Sequence, residues 1–136
     1  MATGLAAGYG ACAAHAARFL YPNDPPAPWT YVARAVDLAM GSSLEFRAPT
    51  GVSAVIARQH DTGEVSDFVA LSNVCPHLGC KVFWESPNNR FFCPCHNGTF
   101  DRAGVATGGP PFKAKQTLIK FPLKLEDGLL FVQIPT

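Results

Sequence analysis

Four of the five cysteines and two of the four histidines in this 136-residue chain fall between Cys75 and His96. They occupy two short segments, Cys75-Pro76-His77-Leu78-Gly79-Cys80 and Cys93-Pro94-Cys95-His96-Asn97-Gly98. Each segment offers one tight pair, Cys75-x-His77 and Cys93-x-x-His96, and 15 residues separate the two pairs. Each also carries one further cysteine, Cys80 and Cys95. Such clustering in a short chain implies a metal centre, a disulfide or both. Thiolates and imidazoles together suit a transition metal such as zinc. A structural Cys2His2 zinc site is one reading, although zinc motifs usually pair like with like, C-x2-C with H-x3-5-H, and here each half is mixed. A bare disulfide framework of the four cysteines is another, and it leaves the histidines at matched offsets without a role.

The rest of the chain must position these two segments. Its length suits one compact domain with at most an appendage, and excludes a two-domain enzyme. Hydrophobic residues make up 48% and charged residues 15%, so the chain has enough apolar material for a core and is not disordered. A net charge of +1 without a basic block excludes a nucleic-acid partner. Twelve glycines and twelve prolines favour turns and short strands over long helices. Strands are expected at Ser43 to Ala48, Val52 to Arg58, Ser66 to Ser72, Lys81 to Trp84, Arg90 to Cys93, Thr117 to Leu125 and Leu129 to Ile134. Asp61 to Glu64 and Glu126 to Gly128 are the expected hairpin turns. The fold class is therefore all-β, an antiparallel barrel or sandwich, with a head domain over residues 31–136.

Ahead of the head, residues 1–21 are rich in alanine and end in Phe19 and Tyr21, as the end of a membrane helix does. The 17 residues from Gly4 to Leu20 sit at the lower limit for crossing about 30 Å of hydrocarbon. The segment is expected to be an anchor whose upstream part precedes this numbering; a soluble amphipathic helix is the alternative. Residues 22–30 hold Pro22, Pro25, Pro26 and Pro28 and read as a semi-rigid neck or hinge.

The paired segments resemble those of the Rieske iron-sulfur proteins, whose pattern C-x-H-x(15-17)-C-x-x-H is met in every ligand and in the gap. The added cysteines, C-x-H-x-G-C and C-x-C-H, are similar to the Rieske subunit of quinol-oxidising cytochrome bc complexes. Gly108-Gly109-Pro110-Pro111 resembles the family's proline loop over the cluster. The resemblance implies a Rieske-like β fold with an inserted cluster-binding subdomain, its loops within residues 73–112, and a [2Fe-2S] cofactor. It implies that Cys75 and Cys93 bind one iron, that His77 and His96 bind the other, and that Cys80 and Cys95 form a disulfide. It further implies partners: a cytochrome b subunit, a c-type cytochrome and quinol, within a dimeric multi-subunit complex of the bacterial inner membrane. The head would lie on the periplasmic side and pass one electron from quinol to a c-type haem, with His96 as the quinol contact. The alternative within the family is an electron-transfer subunit of another oxidoreductase, of the arsenite oxidase type.

The charge of such a centre explains its use. Two ferric irons, two sulfides and two thiolates sum to zero, where four thiolates would leave it at minus two. The neutral centre accepts an electron more readily, which moves the potential from about −400 mV to between about −150 and +300 mV. Each imidazole also keeps one nitrogen off the metal, so proton uptake can accompany electron uptake. A quinol supplies both.

Other residues have plainer roles. Leu78 is either a docking contact at the cluster tip or a loop-packing side chain. His15 and His60 lack ligand-type neighbours, Cys12 reads as a small buried hydrophobe, and Phe91 and Phe92 read as core. The family usually has His-Gly-Ser-x-Tyr after the last ligand, its Ser and Tyr hydroxyls donating to sulfurs of the centre. Here His96-Asn97-Gly98-Thr99-Phe100 places Gly98 and Phe100 at those offsets without a gap, and a one-residue insertion would instead align Thr99 with the Ser. The expected consequence of the ungapped register is a lowered potential. A positive φ at Gly98 would make serine there a strained replacement. Pro76 stands where Thr is commoner.

Overall fold

A computed structural model describes residues 2–21 and 26–135, with side chains from residue 7 onward. The alanine-rich start forms helix α1, Ala2–Leu20, as its residue types favour. Its side chains from residue 7 are exposed. Cys12 is therefore exposed, not buried as expected, because the described side chains of α1 pack against nothing else among the described residues. No helix among the described residues is long and apolar enough to cross a membrane. Pro22 to Pro25, the first half of the expected neck, lie outside the described residues.

Three antiparallel sheets follow. The first contains β1 (Trp29–Arg34), β10 (Leu123–Glu126) and β11 (Leu129–Gln133), in the order β1-β11-β10. The second contains β2 (Ser43–Arg47), β3 (Ser53–Arg58), β4 (Phe68–Ser72) and β9 (Lys120–Phe121), in that order. The third contains β5 (Phe83–Glu85), β6 (Arg90–Cys93), β7 (Gly98–Phe100) and β8 (Ala106–Gly108), also in sequence order, followed by the short helix α2 (Gly109–Lys113).

The second sheet is the middle layer, which explains why β3 and β4 read as continuous apolar runs instead of alternating ones. Ala54, Ile56, Phe68 and Ala70 pack with Leu130, Val132 and Ile134 of β11 and the residues after it. Val55, Ala57, Val69 and Leu71, one step out of phase along the same strands, pack with Phe91, Cys93 and Phe100 of the third sheet. The second of these cores is the floor of the cluster-binding subdomain. Trp84 joins the layers again, donating its indole N–H to the Gly41 carbonyl at 2.9 Å while its ring packs against Phe91.

Sequence and structure differ where a breaker was read through. The expected strand from Thr117 to Leu125 is two strands in two sheets, because Pro122 has no N–H for a ladder and separates β9 from β10. The β10–β11 hairpin turns on Asp127 and Gly128, both at positive φ (49° and 74°), with Glu126 opposite Leu129. This is the two-residue primed turn that Asp-Gly favours.

The β3–β4 connection is longer, and it is built around a buried carboxylate. Asp67 accepts hydrogen bonds from the Thr62 hydroxyl at 2.6 Å, the Thr62 N–H at 3.0 Å and the Gly63 N–H at 2.8 Å, with Arg58 at 3.9 Å. Burial pushes its pKa up, but these donors and the Arg58 charge outweigh burial and hold it at about 2. A carboxyl with a depressed folded pKa stabilises the fold above its unfolded value, and that contribution is lost as pH falls toward the folded one. Wild type should therefore lose stability from about pH 4 down to about pH 2 through this residue. Asp67→Asn should be less stable at pH 7 and should show a shallower fall across that window. Thermal unfolding midpoints of both proteins at pH 7, 4 and 3 check this; parallel curves would contradict it.

Candidate metal centre

The third sheet carries both paired segments at one end. The first segment is a tight loop closed by a bridge between Val74 and Lys81. Inside it the Cys75 N–H donates to the Cys80 carbonyl at 2.7 Å, and the Gly79 N–H to the Cys75 carbonyl at 2.9 Å. The second segment is the β6–β7 hairpin, in which Cys93 lies opposite Gly98 and residues 94–97 form the loop. Asn97 closes that loop at a φ of 54°, a conformation asparagine tolerates better than most residues. A disulfide between Cys80 and Cys95, with Cα atoms 6.5 Å apart, ties the two loops together.

Beneath the disulfide, Cys75 and Cys93 are free thiols, 3% and 1% exposed. Burial pushes the Cys75 thiol up; the backbone N–H groups of His77 and Leu78 point at its sulfur and pull the other way, while the adjacent Cys93 raises it further. His77 and His96 meet edge to face above, with ring centroids 4.9 Å apart and planes at 89°. His77 is half-buried and His96 is exposed. The Sγ atoms of Cys80, Cys93 and Cys95 also lie within 4.8 Å of one another. Because two of these three are joined in the disulfide, that grouping records how closely the bridge approaches Cys93.

This donor set fits an iron-sulfur centre. Two buried, unoxidised thiols side by side are costly as a pair of anions without a cation between them, and two imidazoles at the same end complete a mixed sulfur and nitrogen set. The backbone donors aimed at Cys75 suit a thiolate.

A third segment, Gly108 to Pro111, closes one side. Pro111 is buried, and a Cβ added at Gly98 would lie 3.2 Å from its Cγ and 3.5 Å from the Cβ of Cys93. Gly109 has a φ of 72°, and a Cβ there would lie 2.7 Å from the Asn97 carbonyl oxygen, so only glycine lets this turn approach the second loop. Pro110 is half-buried beside it, and Leu78 projects from the first loop with 69% exposure. Gln116, which sequence reasoning missed, donates to the Pro76 carbonyl at 3.1 Å across 40 positions. No local pattern signals that contact.

Gly98 and Phe100 both face inward on β7; Phe100 is fully buried in the core that holds Cys75 and Cys93. Thr99 faces the other way, its hydroxyl 3.0 Å from that of Thr107. In the ungapped register the missing hydroxyls would fall on this inward face, to which Thr99 does not point. Gly98 is not among the residues at positive φ, contrary to the expectation, so a serine there meets Pro111 and no backbone strain. His15 and His60 sit apart from the centre: His15 bonds the Ala11 carbonyl within α1, and His60 faces Arg102.

Comparison with known proteins agrees with this geometry. Residues 28–122 match the family model for the Rieske [2Fe-2S] domain. The menaquinol:cytochrome c reductase iron-sulfur subunit of Geobacillus thermodenitrificans is 40% identical over 72 residues, covering 51% of this chain and 41% of the relative. The cytochrome b6-f complex iron-sulfur subunit 1 of the Cyanophora paradoxa cyanelle is 33% identical over 105 residues, covering 76% of this chain and 41% of the relative. The chain thus spans about two fifths of the length of these curated relatives. Among solved structures, the plasma membrane Rieske protein of Synechocystis PCC 6803 superposes with a TM-score of 0.66 at 25% identity, covering 77% of this chain and 99% of that one. The ferredoxin of carbazole 1,9a-dioxygenase from Nocardioides aromaticivorans, at 22% identity, a TM-score of 0.60 and coverage of 79% and 98%, shares the fold. The match over most of the head, and the two buried thiols beneath two paired imidazoles, place this chain in the Rieske [2Fe-2S] family.

Proposed function

We propose that this chain is the electron-transfer subunit of a quinol-oxidising cytochrome bc-type complex. The observation that carries the reading is the centre's asymmetry: its thiols are sealed in the core, while His96 stands exposed at the rim with half-buried His77 behind it. Cys75 and Cys93 would hold one iron and His77 and His96 the other. When bound, the [2Fe-2S] group supplies one-electron acceptance at a centre of low net charge. The chain's own residues do the rest. His96 would present its outward nitrogen to the quinol hydroxyl and, when that nitrogen carries no proton, would accept the proton that leaves with the electron, and exposed Leu78 would supply an apolar contact beside it. Pro111 and the Cys80–Cys95 disulfide close the remaining sides and exclude water from the sulfurs. The disulfide belongs with an oxidising compartment, so the head faces the outer side of the membrane. A c-type haem of the complex would be the electron's acceptor. Attachment to the membrane runs through the N-terminal helical region and the cytochrome b partner, within a dimeric assembly. Relatives that are subunits of menaquinol:cytochrome c reductase support a low-potential quinol.

The test is purification of the tagged chain from its native membranes, followed by reduced-minus-oxidised spectra. The expected result is b-type and c-type haem in stoichiometric amounts. Isolation without b-type haem, or with a molybdenum enzyme, would overturn the reading.

A further inference from the structure

Away from the cluster loops, two cavities meet where β4 and β9 run side by side. One, of about 400 Å³, is lined chiefly by apolar groups, among them Val65, Val69, Phe121, Pro122 and Leu123. The other, of about 290 Å³, is lined by Gln59, His60 and Arg102. Ser66, Phe68, Val69 and Lys120 line both, so the two adjoin and present an apolar end and a basic end side by side.

The basic end holds Arg102, His60 and Lys120, and no acidic residue lines either cavity. Of the carboxylates in the flanking segments, Glu64 lines neither cavity and three others are engaged elsewhere. Asp61 pairs with Arg58, Asp67 is filled by Thr62 and Gly63, and Asp101 accepts the N–H groups of Ala103 and Val105. Lys120 has no ion-pair partner among the described residues. Arg102 is fixed in place: its Nη2 donates to the Gln59 carbonyl at 2.7 Å and to His60 Nε2 at 3.1 Å, while Gln59 donates back to the Arg102 carbonyl at 2.9 Å. Its Nε is buried and closed to a ligand, whereas its Nη1 has no partner among the described residues and is not buried, so Nη1 is the guanidinium donor left open to an acceptor in the groove.

We propose that this groove binds a phosphate-bearing amphiphile. The phosphate takes the Arg102 guanidinium, the Lys120 ammonium and the Ser66 hydroxyl, and the alkyl chain lies along Val65, Phe121 and Leu123. A phosphate offers several anionic oxygens to donors that converge from three segments of chain, and Arg presents the planar donor pair that suits it. The apolar end makes a bare inorganic ion an incomplete occupant.

The experiment is isothermal titration calorimetry of the full, cluster-loaded chain with hexyl phosphate, and with inorganic phosphate as the headgroup alone. Two variants at exposed positions, Lys120→Glu and Val65→Asp, leave the core intact. The expected result is saturable one-to-one binding of hexyl phosphate, with inorganic phosphate at least tenfold weaker. Lys120→Glu should weaken both ligands at least tenfold, and Val65→Asp should weaken hexyl phosphate alone. Absence of saturable hexyl phosphate binding, or equal affinity in wild type and both variants, would overturn the proposal. Sedimentation with phosphatidylglycerol vesicles, against phosphatidylcholine vesicles, then identifies the source. Loss of phosphatidylglycerol binding in Lys120→Glu supports the groove with a membrane lipid as occupant. Vesicle binding unchanged by Lys120→Glu, with hexyl phosphate binding weakened, supports the groove with a free phosphate ester as occupant.

Discussion

Replacing Cys80 and Cys95 together by alanine is expected to destabilise the head by about 3 kcal/mol, the loop-entropy value for a closure of 15 residues. The bond joins the two loops that carry the cluster ligands, and it adds a covalent link to the contacts that otherwise hold the first loop: the burial of Cys75 beside Cys93, the His77–His96 ring contact and the hydrogen bond from Gln116 to Pro76. Removing the disulfide therefore frees the loops in the unfolded chain and loosens the site in the folded one. Denaturant unfolding of the double variant, followed by far-ultraviolet dichroism and by bleaching of the cluster absorbance, measures both. The cluster should bleach at lower denaturant than in wild type, ahead of the loss of β structure. A stability change below about 1 kcal/mol with coincident transitions would show that the bond contributes little to holding the site.

The second large effect concerns potential. Phe100→Tyr places a hydroxyl on an inward-facing strand position in the core that holds both buried cysteines, and Gly98→Ser places one beside Cys93. A hydrogen bond to a sulfur stabilises the reduced, negatively charged state more than the neutral oxidised one. With a difference of about 1 to 2 kcal/mol per bond and about 59 mV per 1.4 kcal/mol for one electron, each hydroxyl raises the midpoint by roughly 40 to 90 mV. Gly98→Ser should also cost some stability, because its Cβ requires Pro111 to shift by a few tenths of an ångström. Redox titration of each variant and of the pair checks the numbers. A Phe100→Tyr midpoint that is unchanged or lower, with an intact cluster, would reject both the register and the electrostatic argument.

The cluster loops were legible in the sequence because their information is local. Residue type and spacing single out Cys75, His77, Cys93 and His96, which the structure brings together at one end of the third sheet, and β6 spans the residues expected for it. Asp127-Gly128 was legible for the same reason, since two positive φ values demand such residues. What escaped depends on distant partners. Strand β1 pairs with β11 from the other end of the chain, a relation that no window of residues contains. The short strands β7 and β8 contain glycines and alternate over only three residues each, too few for a period to show. Asp67 falls inside the expected strand Ser66 to Ser72 but precedes β4 as a buried carboxylate, because the donors that make its burial tolerable sit four and five residues earlier in the connecting loop. Cys12 illustrates the converse: an apolar residue type implies burial only if a partner surface exists.

The claim on which the functional reading rests is that two imidazoles, His77 and His96, bind one iron while Cys75 and Cys93 bind the other. Pulsed electron-nuclear double resonance on the reduced, cluster-loaded chain, prepared with and without ¹⁵N-labelled histidine, reads this directly. The account predicts two iron atoms per chain and two strongly coupled, inequivalent histidine nitrogens that change with the label. A reduced centre without histidine nitrogen coupling, or a chain that binds zinc in place of iron, would contradict it.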